Sequence, residues 1–149
     1  MNPDPFRAIA HGGPEYLAAV TLRDRILRAP LGLAFTKIEL AAEGSDWHLA
    51  GFDPGSGDLV ACLVLTPLGN GVAKMRQVAV TESHRGRGWG RDAVMFAETF
   101  ARRRGIREIV LNARETVVGF YLPLGYTVEG EPFVEVTLPH RRMRKALES

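Results

Sequence analysis

Residues 85–91 read Arg85-Gly86-Arg87-Gly88-Trp89-Gly90-Arg91, between an alternating apolar run that ends at Val80 and an amphipathic run that opens near Gly90. Glycines let a loop backbone approach a ligand closely, and the first turn of a helix has unpaired N–H groups at the positive end of its dipole. With three guanidiniums added, the segment suits a pyrophosphate. Spacing alone serves equally well for a tight strand-to-helix turn with solvated arginines. A dinucleotide fold needs a first parallel βαβ unit and an acid about 20 residues further on. Here the loop follows an antiparallel meander, and Glu108, near that spacing, precedes a strand.

Other side chains are capable of proton chemistry. Tyr121 lies in Gly119-Phe120-Tyr121-Leu122-Pro123-Leu124-Gly125-Tyr126, where a core aromatic on a short helix is the simplest role. His140 is of a residue type that can accept a proton in catalysis, although a histidine at a strand end also serves structure. Glu115 and Glu135 are carboxylates of the kind that usually only solvate a surface. The lone Cys62 sits in an apolar run and reads as a small buried hydrophobe. One cysteine makes no internal disulfide, and no Cys/His set has zinc-ligand spacing, so neither a metal nor an oxidising compartment is expected.

Positioning these groups requires a sheet with helices. Tyr16, Leu17, Val20, Ile26 and Leu27 recur at helical spacing over 14–28, with Gly12-Gly13-Pro14 as the start and Pro30 as the stop. Residues 31–46 carry no clear pattern. Strands are expected at 47–52 and 59–66 around the turn formers of 53–58, and at 72–80 after a turn at 67–71. Ala93, Val94, Phe96, Ala97, Phe100 and Ala101 stripe one face of the next helix, which Gly105 ends. A strand over 108–111, a short helix over 116–122 closing at Pro123, and two strands at 126–128 and 133–138 around Gly130-Glu131-Pro132 complete the order. The prediction is a mixed α/β (α+β) fold.

The 149 residues, 46% hydrophobic and 24% charged, fit one globular domain over 1–149. A net charge of +2 is weak support for nucleic-acid binding. The basic residues are nevertheless clustered, at Arg85, Arg87 and Arg91, at Arg102 to Arg104, and in a C-terminal run of His140, Arg141, Arg142, Arg144 and Lys145. That last run lacks aromatic or groove-entering neighbours, so no nucleic-acid partner is expected. The opening Met1-Asn2-Pro3-Asp4-Pro5 has no charged lead followed by an apolar run, and no stretch approaches the roughly 18 apolar residues of a span. A soluble, cytoplasmic protein without a membrane partner is the expectation.

Two motifs about thirty residues apart, Arg85-Gly86-Arg87-Gly88-Trp89-Gly90 and Gly119 to Tyr126 with its aromatic-Tyr-x-x-x-Gly-Tyr pattern, make Met75 to Gly125 resemble the core of the GNAT N-acetyltransferases. Leu138-Pro139-His140-Arg141-Arg142-Met143 further resembles the Ile-Pro-His-x-x-Met of the ElaA-like branch. Trp89 departs from the Ile, Leu or Val usual at its position. The resemblance implies a mostly antiparallel sheet of six to seven strands, helices on both faces and a splayed strand pair at a coenzyme A site. It also implies acetyl-CoA as co-substrate, with its pantetheine arm along Val78, Ala79 and Val80, its pyrophosphate held by Arg85 to Arg91, and Asn112 facing the arm. The implied reaction is direct attack by a small-molecule or peptide amine on the thioester. Tyr121 is then the general acid or a hydrogen-bond donor to the departing sulfur. The base is His140, Glu135, Glu115 or a water relay. A non-catalytic acyl-CoA-binding module is the alternative, and a homodimer fits the family.

Overall fold

The computed structural model describes residues 4–148. Its elements are β1 (Phe6–Ile9), α1 (Pro14–Arg23), α2 (Lys37–Ala41), β2 (Trp47–Phe52), β3 (Leu59–Gly69), β4 (Val72–Val80), α3 (Trp89–Arg102), β5 (Glu108–Arg114), α4 (Val118–Tyr121), β6 (Thr127–Glu135) and β7 (Leu138–Ala146). The seven strands form one sheet in the order β1-β2-β3-β4-β5-β7-β6. The β4–β5 ladder is parallel, and β1–β2, β2–β3, β5–β7 and β6–β7 are antiparallel. Among the described residues no helix is long and apolar enough to cross a membrane. The chain divides into two compact units, one of residues 1–66 and 77–97, the other of 67–76 and 98–149.

In the first unit, helices lie on both faces of the strands. Ala19 and Leu22 of α1 join Ile9, Ala50, Cys62 and Ala79 in one buried cluster. On the opposite face Phe6 stacks on Phe96 of α3 at 5.7 Å and meets Trp89 at 5.6 Å. Gly51 is required here, because a Cβ would come within 2.5 Å of the Phe6 ring. Pro14 takes the first turn of α1, where its missing N–H costs nothing. The helix continues through a π turn over Asp24–Arg28. Thr36 and Glu39 then cap α2 reciprocally, so the pattern-poor segment 31–46 folds into short helical turns.

Beneath α1 lies a buried ion pair. Arg23, 1% exposed, donates from Nη1 and Nη2 to the two carboxylate oxygens of Glu43 at 2.9 and 2.5 Å. Tyr16 donates its hydroxyl to Glu43 at 2.8 Å, and burial followed by Glu43 pushes that phenol up to about 12. The Phe35 ring lies under the Arg23 guanidinium at 4.7 Å. Cys62 is buried as expected, and burial raises its thiol to about 12, so it is inert.

In the second unit β7 lies between β5 and β6. Arg144 pairs with Glu129 at 3.0 Å and with Glu108, and Arg142 pairs with Glu129 at 3.1 Å. The basic C-terminal run is therefore an interior strand, in which Arg142, Arg144 and Lys145 meet carboxylates and Arg141 donates to Gly130 O, and not a tail. The expected strands at 126–128 and 133–138 are likewise one strand, β6. Gly130-Glu131-Pro132 forms a register shift within it, with Gly130 at φ +72°, and proline is tolerated at such irregularities. The true hairpin turn is Val136-Thr137, both residues at positive φ (47° and 64°). Such turns favour Asn-Gly, as Asn70-Gly71 between β3 and β4 illustrates, so two β-branched residues concealed the hairpin from sequence reading. Strand β1, only four residues long, also escaped notice, while β3 runs on through Pro67 and Leu68 and β5 runs three residues further than expected.

Two stability outcomes follow from these features. Replacing Val136-Thr137 by Asn-Gly removes strain worth about 1–3 kcal/mol per residue, so the V136N/T137G protein should unfold at higher urea with an unchanged slope; an equal or lower midpoint contradicts the strained turn. Glu43→Ala leaves the Arg23 charge buried and alone, at a cost of about 3–5 kcal/mol. The same urea experiment should show most of that loss recovered in R23M/E43L.

Candidate functional site

The first unit carries the arginine-glycine loop. Gly86 and Gly88 sit at φ +75° and +85°, a region L side chains rarely adopt, and a Cβ at Gly86 would meet only open space. Asp92 N–H donates to Gly88 O at 2.9 Å, the first bond of α3, which leaves the preceding N–H groups at the helix start without intrahelical acceptors. Arg85, Arg87 and Arg91 are exposed. Arg85 and Arg87 make no ion pair among the described residues, and Arg91 touches Asp92 only at 3.4 Å. Exposed cations, left-handed glycines and free helical N–H groups form a cradle that fits a pyrophosphate. Trp89 packs on Phe6 and, edge-on, on His84 at 5.7 Å, so it covers the helix start.

The strand-side end of this loop is pinned by His84 and Asp53. His84 Nε2 lies 2.7 Å from Asp53 Oδ2, and His84 Nδ1 lies 3.1 and 2.9 Å from the hydroxyls of Thr81 and Ser83. The His84 hydrogen bond, followed by the N–H groups of Gly55 and Ser56, holds the Asp53 carboxyl below its ordinary range. Asp53 had looked like one turn former among several. Thr81 N–H bonds Val60 O at 2.9 Å, anchoring the end of β4. Along β4, Ala79 is buried and Val78 and Val80 are half-buried. Gln77 interrupts the extended backbone at φ +59°, and its Oε1 is buried without a hydrogen bond. A glutamine alternating in phase with the buried Met75 and Ala79 was the available signal.

The second unit carries the proton-active groups. The parallel β4–β5 ladder runs from Val72–Glu108 to Met75–Leu111 and stops, and Asn112 is the next residue. Asn112 Nδ2 donates to Glu135 Oε1 at 3.2 Å, while its Oδ1 is buried without a partner. His140 is buried; its Nδ1 is 2.8 Å from Leu138 O and its Nε2 is 3.7 Å from Glu135 Oε2. Asn112, Glu135 and His140 thus form one cluster on β5, β6 and β7, whereas Glu115 is exposed.

Tyr121 is buried at the end of α4, its ring edge-on to Phe120 at 4.9 Å and to Tyr126 at 5.6 Å. Burial alone pushes its hydroxyl well above the ordinary phenol range. Tyr126 donates to Glu98 at 2.9 Å, and Lys145 bonds both Glu98 (2.9 Å) and Leu124 O (2.7 Å). Gly125, at φ +98°, brings the chain back over this network, where a Cβ would press on Lys145 Cε at 3.1 Å.

Residues 20–126 match the model of the acetyltransferase (GNAT) family. Among curated proteins, the chain is 31% identical over 119 residues to an uncharacterized N-acetyltransferase, YitI, of Bacillus subtilis (strain 168), covering 75% of this chain and 78% of that one. It is 28% identical over 75 residues to the uncharacterized protein YyaT of the same strain, covering 50% of this chain and only about half (51%) of that relative's length. A putative N-acetyltransferase from Lactobacillus plantarum superposes with a TM-score of 0.83 at 24% identity, covering 97% and 100% of the two chains. Escherichia coli ElaA does so with 0.78 at 19%, covering 94% and 97%. An aminoglycoside 6'-N-acetyltransferase solved with coenzyme A gives 0.79 at 15%, covering 97% of each chain. The structural likenesses establish the fold anticipated from the motifs, a mostly antiparallel seven-stranded open sheet with four helices, and the match over residues 20–126 establishes the lineage. This chain belongs to the acetyltransferase (GNAT) family.

Proposed function

We propose that the chain transfers an acetyl group from acetyl-CoA to a primary amine by direct attack within a ternary complex. The observation that carries this reading is the loop at the start of α3, where two left-handed glycines, two exposed arginines without an ion pair among the described residues and the helix N–H groups converge. The coenzyme A bound to the aminoglycoside 6'-N-acetyltransferase of the same fold supports it. When bound, acetyl-CoA supplies an activated acyl carbon and a thiolate leaving group. Arg85, Arg87, Arg91 and the N–H groups of Gly86 to Gly90 hold the pyrophosphate, and the backbone of Val78, Ala79 and Val80 holds the arm and the developing oxyanion. Asn112 flanks the arm, and His140 is the proton acceptor.

For Tyr121, burial favours one of the two roles. A hydroxyl raised above the ordinary phenol range keeps its proton against a thiolate whose own ordinary value is about 8.5. Tyr121 therefore stabilises the departing sulfur by donating a hydrogen bond, without full transfer. A cytoplasmic location is part of the same proposal.

Calorimetric titration of acetyl-CoA tests the cofactor. Wild type should bind, and R87E should lose binding while keeping its melting temperature, whereas G88E should lose binding and melt lower because Gly88 sits at φ +85°; a folded wild type that does not bind removes the reading. Binding without thiol release for any amine would point instead to a non-catalytic acyl-CoA module. A hydrogen bond to a charged group contributes about 1.5–3 kcal/mol, so Tyr121→Phe should lower kcat roughly 10- to 100-fold at unchanged acetyl-CoA affinity. Unchanged turnover would leave Tyr121 a core aromatic.

A further inference from the structure

The contacts that pin the arginine-glycine loop also line up three reactive groups. Asp53 is fixed first, in the β2–β3 turn, where its Oδ1 accepts from the N–H groups of Gly55 at 2.8 Å and Ser56 at 3.2 Å. Its Oδ2 lies 2.7 Å from His84 Nε2. The other ring nitrogen, Nδ1, lies 2.9 Å from Ser83 Oγ and 3.1 Å from Thr81 Oγ1, and the Trp89 ring stands edge-on to the imidazole at 5.7 Å. Carboxylate, imidazole and hydroxyl thus follow one another within hydrogen-bond reach, all of them in the first unit.

The carboxylate decides which way this row of groups runs. Asp53, its carboxyl held below the ordinary range, can only accept. An imidazole with a single proton therefore carries it on Nε2, facing Asp53, and presents the Nδ1 lone pair to the two hydroxyls. Thr81 is half-buried, whereas Ser83 is exposed and is the closer of the two, so the oxygen that a molecule from solvent meets is that of Ser83. A hydroxyl bonded to a base that is itself oriented by a third group is the arrangement that activates a serine. The two ring nitrogens have exchanged places relative to the common Ser-His-Asp form, in which Nδ1 faces the carboxylate. Pinning the loop needs only the His84–Asp53 bond, and amine acetylation uses none of the three.

We propose that Ser83 is a nucleophile that takes acyl groups from small activated esters, with His84 as its general base and Asp53 as a positioning residue. Ser83 Oγ forms a bond to the ester carbonyl carbon as its proton passes to His84 Nδ1. The C–O bond to the leaving group then breaks with its electron pair on that oxygen, and the imidazolium, stabilised by Asp53, returns the proton to it. Acyl-Ser83 results, and water attacks it by the same route to release the carboxylic acid. At an exposed serine the developing oxyanion is solvated by water rather than held in a water-excluded set of donors, which is worth less to the transition state. The substrate must compensate through its leaving group, and this restricts the class to short acyl groups on a weakly basic alcohol, such as aryl esters.

The test uses p-nitrophenyl acetate on the full chain, without acetyl-CoA. Release of p-nitrophenolate above the buffer rate is measured for wild type, S83A, H84Q, D53N and D53E, with the melting temperature of each, and the tryptic peptide Gln77–Arg85, which holds Thr81, Ser83 and His84, is analysed by mass spectrometry. Wild type should release p-nitrophenolate, and any acetyl group retained on that peptide should sit on Ser83. S83A should lose the release at an unchanged melting temperature. H84Q and D53N should each lower the rate at least about 100-fold, the lower end for a proton-transfer residue, and D53E should recover part of the loss. A wild type no faster than buffer, an S83A protein within twofold of wild type, or an acetyl group on Thr81 overturns the assignment. So does a lower melting temperature in D53N and H84Q with an unchanged rate per folded chain, since the row of groups would then be a pin and nothing more.

Discussion

The arrangement of the second unit depends on how β7 satisfies its backbone and its charges at once. A strand reading Leu138-Pro139-His140-Arg141-Arg142-Met143-Arg144-Lys145-Ala146 would be an improbable interior strand by hydrophobicity. It is accepted because β5 and β6 pair it on both sides and supply Glu108 and Glu129 to Arg142 and Arg144 on one face, while Glu98 of α3 meets Lys145 on the other. Antiparallel register sets these pairs opposite or diagonal to one another, where cross-strand charges attract. The same register places His140 opposite Arg114 and Asn112 opposite Arg142, so the proton-active residues are located by the ladder before any side chain chooses a rotamer.

Much of this was legible in the chain. The meander from Trp47 to Val80, the amphipathic α3 and the arginine-glycine turn each carry periodicity or turn chemistry that local physics reads directly. The Gly125 turn did as well, since its φ of +98° leaves little alternative to glycine. What escaped did so for identifiable reasons. Strand β7 hid behind its charges, whose partners are remote in sequence. The β6–β7 turn hid behind two β-branched residues, and Gly130-Glu131-Pro132 imitated a turn while forming only an irregularity within a strand.

The candidate site shows the same division. Residue types named Arg85, Arg87, Tyr121 and His140 as chemically capable, because their spacing follows one local segment. The roles of Asp53, Gln77 and Glu135 depend on neighbours brought in by tertiary structure. Asp53 is tied to His84 across 31 residues, Gln77 is distinguished by a backbone torsion, and Glu135 by what faces it. The Arg23–Glu43 pair is a further case: two charged residues that read as surface residues until the fold buries them together beside Tyr16 and Phe35.

The Val136-Thr137 turn also bears on the order in which the chain folds. Most two-residue hairpins begin at the turn, because Asn-Gly already samples the required left-handed torsions in the unfolded chain. Val and Thr there favour extended backbone, so this hairpin has no local nucleus. Its strands must first be brought together by β7 docking on β5, a contact between segments far apart in sequence whose loop-closure entropy precedes any reward. The β6 edge should then close last in folding and open first in the native state, giving amides in β6 faster hydrogen exchange than those shared by β5 and β7.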